Sequence, residues 1–294
     1  NSPATDFIQR FLFEEHAVRG HWIKLEKTLV ELLNGHDYPA SVEKQLFEAA
    51  LATNLLTETI KFEGRLSLQI QSGGALSLIL VQADHQHQFR GIARHQTSVP
   101  DSDDLKELMP GAQMALTIEP NLGKRYQGIV PMHQHNLSDN LADYFRQSEQ
   151  LATQLWLFSD HNSAAGLFLQ AMPESDQHQT ERADFDHLAH LAATLSAEEA
   201  LSLDAETVLH RLFHQEPLRL FPAEPIRFNC GCSRQKSLAS LTLVPKAELE
   251  EMLEQQGKVA MNCEFCQTHY EFDSIDIAQI FANSGLDMQQ NTEQ

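Results

Sequence analysis

Four cysteines constrain this 294-residue chain more than any other feature: Cys230-Gly231-Cys232 and, after a gap of thirty residues, Cys263-Glu264-Phe265-Cys266. A disulfide-stapled secreted domain is short and carries cysteine throughout, whereas here every cysteine lies beyond residue 229. In a reducing compartment such spacing points to metal or redox chemistry. Structural zinc takes four ligands at tetrahedral corners, and thiolates are its commonest soft donors. Two close pairs meet that demand, so Cys230, Cys232, Cys263 and Cys266 are the candidate zinc ligands. The second pair sits between Val259-Ala260-Met261 and Tyr270-Glu271-Phe272, which reads as a zinc knuckle at a hairpin tip.

Zinc by itself leaves the function open. A structural metal holding a small module together is the plainest reading. A zinc hydrolase or deaminase needs a coordination position for water, and four thiolates leave none. His214-Gln215-Glu216 mimics half of a deaminase signature, yet Asn262 rather than proline precedes Cys263, and Cys230 and Cys232 would go unused. His85 with His87, and His133 with His135, form H-x-H pairs in polar, turn-like contexts, where solvated loop histidines are expected. Gly73-Gly74 suits a turn, and the sequence holds neither a G-x-S-x-G elbow nor a phosphate-cradling glycine loop. The chain is therefore not expected to be an enzyme, and no catalytic residue is assigned.

Charge narrows the partners. Lys and Arg number 21 against 41 Asp and Glu, a formal net charge of −20 that repels phosphate backbones and anionic lipid alike. Residues 226–294 hold five basic and ten acidic groups, which argues against a nucleic-acid zinc ribbon. No apolar run reaches the roughly 18 residues of a membrane span, and the opening residues lack the basic and apolar regions of a signal peptide. A cytoplasmic location is the expectation, with neither nucleic acid nor membrane as partner.

The length exceeds what one core usually reaches, and 42% hydrophobic residues suffice for a packed interior. Ala17 to Leu25 alternates as a strand, and Asn34-Gly35 closes a short helix beginning near Thr28. Pro39 opens a long helix in which Val42, Leu46, Ala49, Ala50, Thr53, Leu56 and Ile60 form one buried stripe. Leu66 to Ile70 and Leu76 to Leu80 read as a hairpin around Ser72-Gly73-Gly74, followed by strands at Gln113 to Ile118 and Arg125 to Val130. A helix from an N-cap at Ser138 to Gln150 and a second hairpin, Leu155 to Phe158 with Gly166 to Met172, complete an α+β N-terminal domain ending near Pro173. Residues Pro173 to Ala200 carry seven acidic residues and one basic, Arg182, while Phe185, Leu188, Leu191 and Leu195 mark an amphipathic helix, with a second helix near Ala205 to His214. Pro217, Pro222 and Pro225 follow, so this stretch reads as a loosely held helical linker. The remainder is a small C-terminal four-cysteine zinc module: a strand into Cys230, helices around Leu238 and Leu249, Gly257 as a stop, the knuckle, and a helix capped near Ser274. The expected division is 1–175, 176–225 and 226–294. A core as small as the last is marginal without a staple, which metal supplies.

Asn229-Cys230-Gly231-Cys232-Ser233-Arg234 and Cys263-Glu264-Phe265-Cys266 to Tyr270 resemble the bacterial thirty-three-kilodalton heat-shock protein family of redox-regulated holdase chaperones. So do Phe11-Leu12-Phe13-Glu14 through Ala17-Val18-Arg19-Gly20, Arg90-Gly91-Ile92-Ala93-Arg94, Arg125-Tyr126-Gln127-Gly128, Asp143-Tyr144-Phe145 through Ser148-Glu149-Gln150, and Ala164-Ala165-Gly166. Together they span nearly the whole length. The resemblance implies that the four cysteines are both zinc ligands and redox switch, that the reduced zinc form is inactive, and that oxidation activates a homodimer which holds unfolded client proteins under stress. Disulfides are then expected between Cys230 and Cys232 and between Cys263 and Cys266, near neighbours meeting most often once metal leaves. Phe185, Leu188 and Leu191 become the candidate client-binding stripe. The competing reading is a constitutive adaptor with a purely structural zinc module.

Overall fold

The structure is a computed structural model and describes residues 5–60, 63–148, 151–172 and 178–290, without the side chains of 178–182 and 283–290. The chain divides into two compact units, one built from residues up to Leu33 with Asp37–Asn229, the other from Asn34–His36 with Cys230 onward.

The first unit is layered around one helix. Strands β1 (Phe7–Phe13) and β2 (Val18–Leu25) lead to helices α1 (Lys27–Leu33) and α2 (Ala40–Thr57), then strands β3 (Gly64–Gln71), β4 (Leu76–Asp84) and β5 (Gln88–His95). After the short α3 (Leu105–Leu108) come β6 (Gln113–Pro120), β7 (Tyr126–Pro131), α4 (Leu137–Ser148), β8 (Thr153–Ser159) and β9 (Ala164–Ala171). Helices α5 (His178–Ala192), α6 (Ala197–Ser202) and α7 (Ala205–Phe213) precede the short strands β10 (Leu218–Leu220), β11 (Glu224–Pro225) and β12 (Arg227–Phe228). Among the described residues one sheet runs β10-β1-β2-β9-β8, with β11 also on β1, and the other β12-β5-β4-β3-β6-β7.

Helix α2 lies between these sheets, touching β3, β4 and β5 on one side and β2, β8 and β9 on the other. Its expected single stripe is therefore wrong: nearly every residue from Ser41 to Thr57 is buried, because two sheets cover it. Ala49, Ala50 and Ala52 permit the close approach, and its buried polar side chains bond back into the helix, Thr53 Oγ1 to the Ala49 carbonyl at 2.7 Å and Asn54 Nδ2 to that of Ala50 at 2.9 Å. Glu48 is buried in the same helix, and loss of hydration pushes its carboxyl up to about 7. Asp6 closes the start of α1, accepting from the backbone N–H of Glu26, Lys27 and Thr28 and from the Thr28 hydroxyl. Burial works against its charge, but these donors hold the carboxyl below the usual range.

The outer face of the first sheet carries a second core. Phe11, Phe13, Trp22, Leu167 and Leu169 pack there against Phe185, Leu188, Val208, Leu209 and Phe213 of α5 and α7. Gly20 is required in this layer, since a Cβ there would lie 2.1 Å from the Phe11 ring on the paired strand. The segment expected to be loosely held is thus packed: Phe185 is 5% exposed and Leu188 fully buried.

Other differences are local. Strands β1 and β5 and helix α6 escaped the sequence reading; α6 is set by a capping box between Ser196 and Glu199. Helix α4 starts one residue before Ser138, and Asn136 closes its first turn by accepting from Asp139 N at 2.8 Å. Its expected end at Gln150, and the expected domain end at Pro173, lie outside the described residues. The strand into Cys230, β12, pairs in parallel with β5 and belongs to the first unit, where Ile226 joins the core.

The second unit holds α8 (Arg234–Ser240), a 3-10 turn at Leu241–Leu243, α9 (Lys246–Gln256), the hairpin β13 (Val259–Asn262) with β14 (His269–Phe272), and α10 (Ser274–Gln290). Gly257 ends α9 with φ +72°, as the stop signal predicts. Asp273, rather than Ser274, caps α10 by accepting from Ile275 and Asp276 N, both at 2.9 Å. Its buried core among the described residues is Leu241, Leu249, Val259, Phe272 and Ile277.

Candidate metal centre

Two short pieces of backbone bring the cysteines of the second unit together. In Cys230-Gly231-Cys232 the glycine has φ +65°, a conformation that costs it nothing and that folds the flanking side chains toward one point. Ser233 then caps α8, accepting from Lys236 N at 3.2 Å, and Lys236 Nζ donates to the Gly231 carbonyl at 2.7 Å. The second pair sits at the tip of the β13–β14 hairpin as expected. Cys263 N donates to the Thr268 carbonyl at 2.9 Å and Gln267 N to that of Cys263 at 2.8 Å, closing a knuckle in which Gln267 takes φ +57°.

The four Sγ atoms all lie within 4.8 Å of one another, and among the described residues this is the group of metal-type ligands that the structure assembles. Cys230 Sγ is 3.4 Å from Cys263 Sγ, and Cys232 Sγ is 3.4 Å from Cys266 Sγ. Sulfurs at the corners of a tetrahedron with ~2.3 Å metal–sulfur bonds stand roughly 3.8 Å apart, while a disulfide is ~2.05 Å. The spacing therefore fits four thiolates around one soft metal ion. All four side chains are half-buried.

Neighbouring hydroxyls complete the centre. Tyr270 OH lies 3.2 Å from Cys232 Sγ and Thr268 Oγ1 3.1 Å from Cys266 Sγ. Burial and the adjoining Cys263 sulfur push the Cys230 thiol up, and burial raises that of Cys232 as well. Burial also opposes ionisation of Cys266, but the Thr268 hydroxyl and backbone N–H prevail and hold it at about 7. Proximity to the Cys232 sulfur pushes the Tyr270 hydroxyl up to about 12, which keeps it a proton donor. Tyr270 and Thr268 lay within the run from Cys263 to Tyr270 that carries the family resemblance, but neither was given a part in the cysteine centre; a hydroxyl two positions beyond a C-x-x-C was the available signal.

Other residues singled out in the sequence lie elsewhere. Phe185, Leu188 and Leu191 are in the first unit, Leu191 partly buried beside the second core. His85 Nδ1 meets the backbone of Gly64, and His135 Nδ1 is 2.7 Å from Asp104 Oδ2. His87 is not a solvated loop histidine: Nδ1 lies 3.4 Å from Glu58 and Nε2 2.8 Å from Glu224. Glu216 of the deaminase-like triplet pairs with His16 and His187 in the first unit.

The sequence profile described as Hsp33 protein matches residues 6–273. A 33 kDa chaperonin of Shewanella sp. (strain ANA-3) is 44% identical over 286 residues, covering 97% of this chain and 99% of the relative. One of Pseudomonas savastanoi pv. phaseolicola is 43% identical over 294 residues, covering 99% and 98%. The crystal structure of the 33 kDa chaperonin from Thermotoga maritima shares the fold with a TM-score of 0.80 over 95% of this chain and 98% of that one, at 20% identity. With a fold shared over nearly its full length and two sequence relatives above 40% identity, this chain belongs to the Hsp33 family of chaperones.

Proposed function

We propose that the chain is a redox-regulated, ATP-independent holdase of the cytoplasm, and that Cys230, Cys232, Cys263 and Cys266 bind zinc when reduced. The observation that carries this reading is the gathering of four sulfurs within 4.8 Å in a unit whose buried core among the described residues is five side chains. Bound zinc supplies cohesion, with apparent free energies on the order of 10–16 kcal/mol in small zinc modules, comparable to or above the stability of an ordinary domain.

Oxidation removes that cohesion. Two thiolates give up an electron pair to a peroxide and join as one disulfide, while the peroxide takes two protons and leaves as two waters. Sulfurs bonded at ~2.05 Å no longer hold tetrahedral ligand spacing. Cys230 pairs with Cys232 and Cys263 with Cys266, and the second unit loses its fold. Helices α5 and α7 then leave the outer face of the first sheet, baring Phe185, Leu188 and Leu191 together with the apolar surface they covered. Unfolded clients bind that surface, a homodimer is the active form, and the net charge of −20 limits self-association. No phosphate-binding loop couples the cycle to nucleotide.

The test is zinc content and suppression of client aggregation, measured on the full chain before and after peroxide with mild heat. About one zinc per reduced chain, its release on oxidation, and protection by the oxidised form alone are expected. Equal protection by the reduced zinc form would replace the switch with the constitutive adaptor. Peptide mapping that finds mainly Cys232 joined to Cys263 would contradict the pairing.

A further inference from the structure

A neutral imidazole carries one N–H and one lone pair, so it satisfies a carboxylate at one ring nitrogen only. His16, in the turn between β1 and β2, faces carboxylates with both. Its Nε2 lies 2.8 Å from Glu216 Oε2, and its Nδ1 3.3 Å from Asp184 Oδ2, an ion-pair distance without hydrogen-bond alignment. The ring is mostly buried, with 16% of the side chain exposed, and stands edge-on to Phe13. The other Glu216 oxygen, Oε1, is 2.7 Å from His187 Nε2.

These groups come from both ends of one segment. Asp184 and His187 ride on α5, while Glu216 follows α7, and the adjoining Pro217 carbonyl accepts from Glu14 N at 2.8 Å. Among the described residues, the charged and titratable groups around His16 are thus Asp184 and His187 from α5, Glu216 from beyond α7, and the exposed Glu14 and Glu15 of its own turn. A neutral ring would set its lone pair against one of two anions. Burial disfavours the imidazolium, but the hydrogen bond to Glu216 and the nearby charge of Asp184 outweigh it and raise the His16 value above the ordinary one.

We propose that His16 is a proton-operated latch: as imidazolium it clamps Asp184 of α5 and Glu216 behind α7 to the β1–β2 turn, and on losing its proton it lets the α5–α7 segment loosen. Because the bound form holds its proton more tightly than the free ring, the clamp is complete below the ordinary histidine value of ~6.5 and is lost as pH rises through the raised one. The latch belongs to the first unit and does not rest on the chaperone reading.

Amide exchange of the full-length reduced protein, corrected for intrinsic rates, tests it at about pH 6 and about pH 8.5, on either side of the histidine range. Protection of residues 183–192 should fall roughly 1.5- to 5-fold more than that of β2 and β9 between the two conditions, the span expected of a partly exposed ion pair. His16→Gln keeps a donor for Glu216 but does not titrate, so the excess fall should vanish. In Glu216→Gln, the His16 titration followed by NMR should move down toward the ordinary value. An excess fall that is missing from the wild type or unchanged in His16→Gln overturns the latch, as does identical titration of His16 in wild type and Glu216→Gln. Should His16→Gln lose protection in β2 and β9 as well, the NMR titration decides.

Discussion

The two units bury very different amounts of apolar core. In the first, helix α2 is buried between two sheets and a further helical layer covers the outer face of one of them, so apolar burial on both sides of a sheet holds the fold. In the second, five buried apolar residues among those described stand beside four gathered sulfurs. A thin core beside clustered sulfurs is where such a chain is open to chemistry. Removing one side chain from the first unit subtracts a few kcal/mol from a large sum, whereas the second has few buried side chains to lose and gathers four oxidisable sulfurs beside them.

The largest effect is expected of Cys263→Ser. It should weaken metal binding, lower amide protection across residues 234–282 and leave the sheets of the first unit protected, with the roughly 10 kcal/mol of a whole zinc site as the upper bound on the loss. If the second unit stays equally protected, its core suffices without metal and the contrast fails.

Leu188→Ala sharpens the other side. Leu188 is fully buried against the first sheet, and truncation there should cost roughly 2–5 kcal/mol in denaturant unfolding of the first unit. A cost near zero would mean that α5 is indeed loosely held.

Glu48→Gln should give the smallest effect, and of opposite sign. The fold keeps this carboxyl protonated up to about 7, so Glu48 weakens stability progressively as pH rises above its ordinary value, and fully above about 7. The amide escapes that penalty. Thermal unfolding should show the variant more stable by up to about 3 kcal/mol near pH 8, with no gain near pH 4. A pH-independent difference would show that Glu48 titrates normally.

Local signals were legible wherever the chain settles its own conformation. The hairpin at Ser72-Gly73-Gly74, the knuckle around Cys263 and Cys266, and the stop at Gly257 each depend on residues within one turn of each other. Caps slipped by one or two residues, to Asn136 and Asp273, because several Asn, Asp and Ser stand together at each start and only backbone geometry chooses among them.

Two close cysteine pairs were enough to mark Cys230, Cys232, Cys263 and Cys266 as one cluster, and periodicity was enough for the α+β character of the first unit. Tertiary structure alone decided what surrounds those elements. Periodicity reports which side of a helix is apolar but not how many layers will cover it, so α2 read as one stripe when two sheets enclose it. An acidic composition read as loose because charge on the outer face of α5 says nothing of Trp22 and Phe11 beneath it. The His16 cluster was invisible for the same reason: its carboxylates lie about 170 and 200 residues away along the chain, and only packing brings opposite charges across such a separation into contact.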